Sequence, residues 1–411
     1  MWANLIIGRD LCDQATMTAD PVEILLVVLE RSHSYPLDFQ FYFLSPRVKG
    51  NAIERCFDLL IAHSKRWRDV NLSIPSSFLP RLSTIRGKVD LLRDMDMDII
   101  SSLFSDTQLE DSDVRVFEVA PKLERLHMYG MPPEVDILFP VTNLVSFSDA
   151  RPFSGDRLTP KYLEVIKTAP RLRSFSMNDY GVNPTFMSPL LPCVMSPSIE
   201  ELSISSPSCM RSMKLPSLKK VTLTTMYDLN LRGFGDELIK CPVGALSALH
   251  QMLLQSQCSL SRLNLIDAVL DNNLSGIIRL TPNLRQLHIE LNGWVEDYDT
   301  ILYSLVEHMS EVCLVDGSIQ PCVVPSLQEL IVQVDDVDEN FVSFIHSGFV
   351  DMVALRLYRP PGVPRLAKLM LWISGIGWNY GLDEMAENDL KSLKHEGLEL
   401  TYDMYDSLDM T

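Results

Sequence analysis

Four short stretches carry residue types whose spacing suits chemistry. His288-Ile289-Glu290 has the H-x-E spacing that pairs a zinc-binding histidine with a general-acid glutamate, yet no P-C-x-x-C follows to complete a ligand set. Asp94, Asp96 and Asp98 in "DMDMD" share one face of any strand they form and would draw a cation. Without the glycine and closing glutamate of a calcium loop, a solvated face is expected instead. The glycine-rich "GIGWNYG" (375–381) and "RGFGDE" (232–237) lack the preceding strand, the spacing and the following helix of a phosphate loop, and read as turns. No G-x-S-x-G occurs, and the eight cysteines form neither a C-x-x-C pair nor an arrangement with histidine that marks a dyad. The chain is expected to be no enzyme and to carry no metal and no cofactor.

The residues that remain are polar ones at regular positions, and a repeated phrase positions them. "TPNLRQLHI" from Thr281 recurs as "APKLERLHM" from Ala120, "APRLRSFSM" from Ala169, "SPSIEELSI" from Ser196, "LPSLKKVTL" from Leu215 and "VPSLQELIV" from Val324. "QCSLSRLNL" from Gln257 lacks only the proline, and weaker copies begin at Trp67, Leu92, Leu144 and Met352. In L-x-x-L-x-L the last two apolar residues point to one side of a short strand and the residues between them to the other. Successive copies lie about 28 residues apart, the period of leucine-rich repeats, whose units stack because one alone cannot bury its apolar side. Residues 242–257, 299–312 and 159–170 have helical apolar spacing and are expected on the outer wall, with the proline ending each helix.

The expected fold is therefore α/β: a leucine-rich-repeat-like solenoid with a parallel β-sheet on its concave face and helices or irregular segments on its convex face. Residues 1–65 are expected to form an N-terminal strand and helix cap, 66–380 the solenoid, and 381–411 an acidic C-terminal cap. Residues that alternate with the core line the concave face, where they form a protein-recognition strip. That strip is expected to contain Arg125, His127, Tyr129, Lys220, Arg262, Asn264, Gln286, His288, Glu290, Glu329, Arg356 and Tyr358. Arg125, Tyr129, Arg262, His288, Arg356 and Tyr358 are its expected anchors.

Composition bounds the partners. With 46% hydrophobic residues, the 411-residue chain can bury a large core. Its longest apolar run is "ILLVVL" (24–29), well short of a membrane span. A net charge of −18 argues against nucleic acid, because phosphate binding needs a positive footprint. Residues 47–93 run against the trend, with ten Lys or Arg and four Asp or Glu; they read as a solvated face or a dock for an acidic partner. Scattered cysteines fit thiols in a reducing compartment, so a cytoplasmic or nuclear location is expected.

Longer phrases carry a family resemblance. "LERSHSYPLDFQF" (29–41), "NAIERCFDLLIAHSKRWRDVNLSIP" (51–75), "LSTIRGKVDLLRDMDM" (82–97) and "LKSLKHEGLELTYD" (390–403) occur in an order that resembles fungal F-box proteins with irregular leucine-rich repeats. The resemblance implies that the repeats capture a protein substrate for a cullin–RING ubiquitin ligase. The helical F-box that docks on the ligase adaptor normally precedes a "LWANL"-like phrase; here "MWANL" stands at residue 1, so an adaptor is expected as partner only if an F-box lies upstream. A ligase-independent scaffold or competitor is the alternative. An enzyme built on insertions at 218–260 or 284–327 is a further one.

Overall fold

A computed structural model describes residues 4–8, 20–43, 51–100, 115–132, 135–152, 155–180, 191–224, 241–315, 318–360 and 362–406. "RGFGDE", Trp2 and residues 407–411 of the acidic tail lie outside them. The chain forms two compact units, Met1–Gly155 with Glu164–Ser176, and Asp156–Leu163 with Met177–Thr411.

In the first unit the strands β1 (Asn4–Ile7), β2 (Leu37–Tyr42), β3 (Trp67–Pro75), β4 (Asp94–Ile100), β5 (Arg125–Tyr129) and β6 (Ser146–Pro152) pair in chain order, each parallel to the next. β7 (Ser174–Tyr180) follows β6 in the sheet. The connections hold the helices α1 (Pro21–Arg31), α2 (Asn51–Ala62) and α3 (Leu79–Leu82), and α4 (Thr159–Thr168) precedes β7. The region expected as a cap thus contributes two strands to the same ladder.

The second unit continues in chain order with β8 (Val194–Met195), β9 (Glu201–Ile204), α5 (Pro207–Arg211), β10 (Met213–Lys214), β11 (Lys220–Leu223), α6 (Ala245–Ser256), β12 (Arg262–Ile266), α7 (Asn273–Leu280) and β13 (Gln286–Leu291). After these come α8 (Glu296–Ser310), β14 (Val312–Val315), β15 (Ser318–Pro321), β16 (Glu329–Val334), β17 (Phe341–His346), α9 (Ser347–Leu357), β18 (Lys368–Gly375), β19 (Asn379–Gly381), α10 (Glu384–Ser392) and β20 (Glu399–Asp406). Its ladder runs β9-β11-β12-β13-β16-β18-β20, every pairing parallel. β14 and β15 form an antiparallel hairpin, while β8 pairs with β10 and β17 with β19.

The recurring phrase is a turn followed by a strand. In five copies the N–H of the first apolar residue returns to the carbonyl three residues earlier: Leu123 to Ala120, Leu172 to Ala169, Leu218 to Leu215, Leu284 to Thr281, Leu327 to Val324. The proline stands second in each turn, where its fixed φ is already right. Its main role is therefore to shape this turn, beyond stopping a helix as expected. "QCSLSRLNL" dispenses with proline because α6 ends directly ahead of it, with Gln257 at φ 50° and its N–H on the Leu253 carbonyl.

The apolar positions then do what their spacing demands. Leu284, Leu287 and Ile289 are fully buried, as are Leu260, Leu263 and Leu265 and the aromatic pair Phe147 and Phe175, stacked at 5.7 Å. Truncating one such leucine to alanine costs about 2–5 kcal/mol. Each helix adds its own stripe: Leu246, Leu249, Met252 and Leu253 of α6 are buried, while Leu254 is exposed. No helix among the described residues is long and apolar enough to cross a membrane.

One copy of the phrase is not a strand. Met352–Leu357 lies in α9, since i, i+3, i+5 spacing also suits a helix and no proline turn precedes it. The rung at that place in the ladder is β18, whose Leu369, Leu371 and Ile373 are fully buried.

Candidate functional site

Parallel pairing without register shifts sets the alternate residues of neighbouring strands side by side, about 4.8 Å apart. In the second unit one row reads Glu201, Lys220, Arg262, Gln286, Glu329, Lys368 and Glu399. The next row holds Thr222, Asn264, His288, Ile331 and Met370, and a third holds Ile266, Glu290, Gln333 and Trp372. The expected strip residues Lys220, Arg262, Asn264, Gln286, His288, Glu290 and Glu329 therefore stand together. Lys220 lies 3.9 Å from Glu201 and Lys368 2.7 Å from Glu399, which leaves Arg262 and Glu329 without an ion partner among the described residues.

The centre of this face is polar and incompletely bonded. Asn264 donates to Thr222 Oγ1 at 3.2 Å, but its Oδ1 accepts nothing. His288 Nε2 lies 3.4 Å from Glu290 Oε2, but the geometry makes no hydrogen bond. Burial holds the His288 imidazole below its usual range and keeps it neutral near pH 7. Burial, followed by Asp267 and Asp335, raises the Glu290 carboxyl. Beside them Ile331, Met370 and Trp372 stand half-buried on the polar side of the sheet.

In the first unit the corresponding rows are Asp38, Asp69, Asp94 and Arg125; Gln40, Asn71, Asp96 and His127; and Tyr42, Ser73, Asp98 and Tyr129. The expected Arg125, His127 and Tyr129 are thus neighbours of the "DMDMD" aspartates. Arg68 binds Asp38 through two hydrogen bonds and lies 3.4 Å from Asp69, and Arg125 pairs with Asp94. Asn71 donates to Asp96 at 3.3 Å, Ser73 to Asp98 at 3.0 Å, and His127 Nε2 meets Ser146 Oγ at 3.0 Å. Burial raises the Asp96 carboxyl, with nearby Asp98 adding to the effect and His127 opposing it. Two clefts open on these residues. One of about 510 Å³ is lined by Arg68, Arg93, Asp94, Lys122 and Arg125 among others, and one of about 360 Å³ by Asp38, Asn71, Asp96 and His127 among others.

Arg356 and Tyr358 do not join either face, a correction to the expected strip. Arg356 is only 2% exposed within α9 and donates to the carbonyls of Met309, Val323 and Val324, at either foot of the β14–β15 hairpin. Burial, reinforced by Arg359, lowers its pKa to about 10, so it stays charged and structural at pH 7. Tyr358 follows the helix at its C-cap and is exposed. The residues missed in their place are Lys368, Met370 and Trp372. Their signal is plain once the turn is understood: "VPRLAKLML" (363–371) has the proline, Leu366, Leu369 and Leu371 in the phrase's positions.

Other chemistry is sparse. No group of three or more His, Cys, Asp or Glu among the described residues could hold a metal ion. Burial pushes the Cys56 thiol up to about 11 and Cys241 up to about 12, so neither is a ready nucleophile.

Comparisons with known proteins add little. No family model matches the chain, and no curated protein does. Among solved structures, a crystal structure of a protein from Bacteroides fragilis aligns over 90% of this chain and 74% of its own, at 12% identity and a TM-score of 0.29. So loose a superposition says nothing about function.

Proposed function

We propose that this chain is a leucine-rich-repeat-like solenoid without catalysis of its own, which binds another polypeptide along the polar side of its parallel strands. The observation that carries the reading is the half-buried trio Ile331, Met370 and Trp372: Ile331 and Met370 continue the row of Asn264 and His288, and Trp372 that of Glu290 and Gln333, with Arg262 in the row before them. Apolar side chains on that side add nothing to the core, and a tryptophan and an arginine within a polar surround are the residue types that dominate interface energetics. Resemblance to the substrate-capturing part of F-box proteins supports the same reading and suggests a ubiquitin-ligase substrate as the partner, in the cytoplasm or nucleus.

The test is a cross-linked pull-down with the unmodified chain, the triple variant Arg262→Ala, His288→Ala, Trp372→Ala, and Tyr358→Ala as a control. The triple variant should lose a partner that the control keeps. An identical set of partners from all three chains would overturn the reading.

A further inference from the structure

The β14–β15 hairpin is a two-stranded sheet of its own beside the long ladder, and its base carries two thiols. Val312 pairs with Pro321 and Cys313 with Gln320, and the Cys322 N–H donates to the Glu311 carbonyl at 2.9 Å, one pair further down. Side chains alternate along each strand, so Cys313 and Cys322 lie on the same side, one diagonal step apart. Their thiols meet there: Cys313, in hydrogen-bond reach, does most to raise the Cys322 thiol above its usual range, and Glu311 adds to the effect. Cys322 is exposed and Cys313 half-buried, whereas Cys56, Cys209 and Cys241 are buried. Just below, Arg356 ties both feet of the hairpin together through the carbonyls of Met309, Val323 and Val324, which keeps the two thiols facing. A diagonal step is about 7 Å between α-carbons and a disulfide spans at most about 6.8 Å, so bonding draws the strands together slightly. The hairpin can yield that much, because its Val312, Leu314 and Ile319 are exposed and little packing resists the shift.

We propose that Cys313 and Cys322 form a reversible redox pair, which a low-molecular-weight disulfide of the oxidised-glutathione class closes into an intrachain disulfide at the base of the hairpin. The exposed Cys322 thiolate attacks one sulfur of the small disulfide, whose S–S bond breaks and releases the first small thiolate. Cys313 then attacks the Cys322 sulfur of the mixed disulfide and releases the second. One S–S bond breaks and one forms; two electrons pass from the protein to the small disulfide, and the two cysteine protons end on the two released thiols. Because the Cys322 thiol is raised, it is mostly protonated at pH 7, and closure should quicken about ten-fold from pH 7 to pH 8. Exposed disulfides are readily reduced again, so excess small thiol should reopen the bond.

The test incubates the full chain with oxidised glutathione, quenches with acid, alkylates the remaining thiols in denaturant and locates every disulfide by peptide mass spectrometry. Cys313 and Cys322 should become linked to each other while Cys56, Cys209 and Cys241 stay alkylated, and an excess of reduced glutathione should restore both thiols. Cys313→Ser should halt at the mixed disulfide, leaving about ten-fold more glutathione on Cys322 than the unmodified chain retains. Equal glutathione on Cys322 in the two chains would overturn the proposal, because Cys313 would then resolve nothing. So would a link from Cys322 to any other cysteine, or a bond that excess reduced glutathione leaves intact.

Discussion

The two units solve one packing problem with the same residues and then diverge on the side that faces away from it. Met, Ile and Leu fill the inward positions of β4 and β5, and Leu and Ile those of β12 and β13. Outward, the first unit presents five aspartates on β2, β3 and β4, largely answered by hydrogen bonds and arginines, whereas the second alternates charge sparsely and sets Ile331, Met370 and Trp372 among polar residues. Inward positions are constrained by volume and must repeat; outward ones are constrained only by what they meet, so they are free to differ. Each unit also buries charge: Asp149 with Arg151, both 1% exposed, in the first, and Arg356 in the second.

Those buried charges should produce the largest effects. Asp149→Ala leaves Arg151 without its carboxylate and should destabilise the chain by about 3–5 kcal/mol, and Arg356→Met, which strands three carbonyls, by about 3 kcal/mol. Denaturant unfolding followed by a probe in each unit would show whether each loss stays in its own unit. Next comes Trp372→Ala, expected to cost about 2 kcal/mol of partner affinity, some thirty-fold, with little change in melting temperature. An affinity drop only in step with a stability drop would return Trp372 to the core.

Salt should act more gently. Raising ionic strength should weaken partner binding at the second unit's partly apolar face only a few-fold, as titrations at two salt concentrations would reveal. The smallest effect is that of His288. Its folded pKa lies below the unfolded value, so the unfolded chain takes up the proton first. Stability should therefore fall as pH drops below about 6.5, a slope that His288→Gln should flatten, and the imidazole should titrate below 6.5 by NMR.

Much of the site was legible residue by residue. Arg125, His127 and Tyr129 could be placed on one face because alternation along a strand needs no tertiary information, and the same holds for Gln286, His288 and Glu290. Arg356 was misplaced because its surrounding spacing suits helix and strand alike. The distinguishing mark was the proline turn, absent before Met352 and present at Pro364. Asp149 stands where the phrase calls for an apolar residue, and no pattern along the chain announces that Arg151, two residues on, turns inward to meet it.

What the amino-acid sequence determined by itself is local: which residues turn, which extend, and which side of each strand is apolar, since turn geometry and side-chain alternation act over a few bonds. Tertiary structure alone decided which strands are neighbours, and so which charges cancel. Arg68 finds Asp38 thirty residues away, Arg125 finds Asp94, and Arg93 and Lys122 find no carboxylate among the described residues, because Coulomb interactions depend on distance through space rather than along the chain.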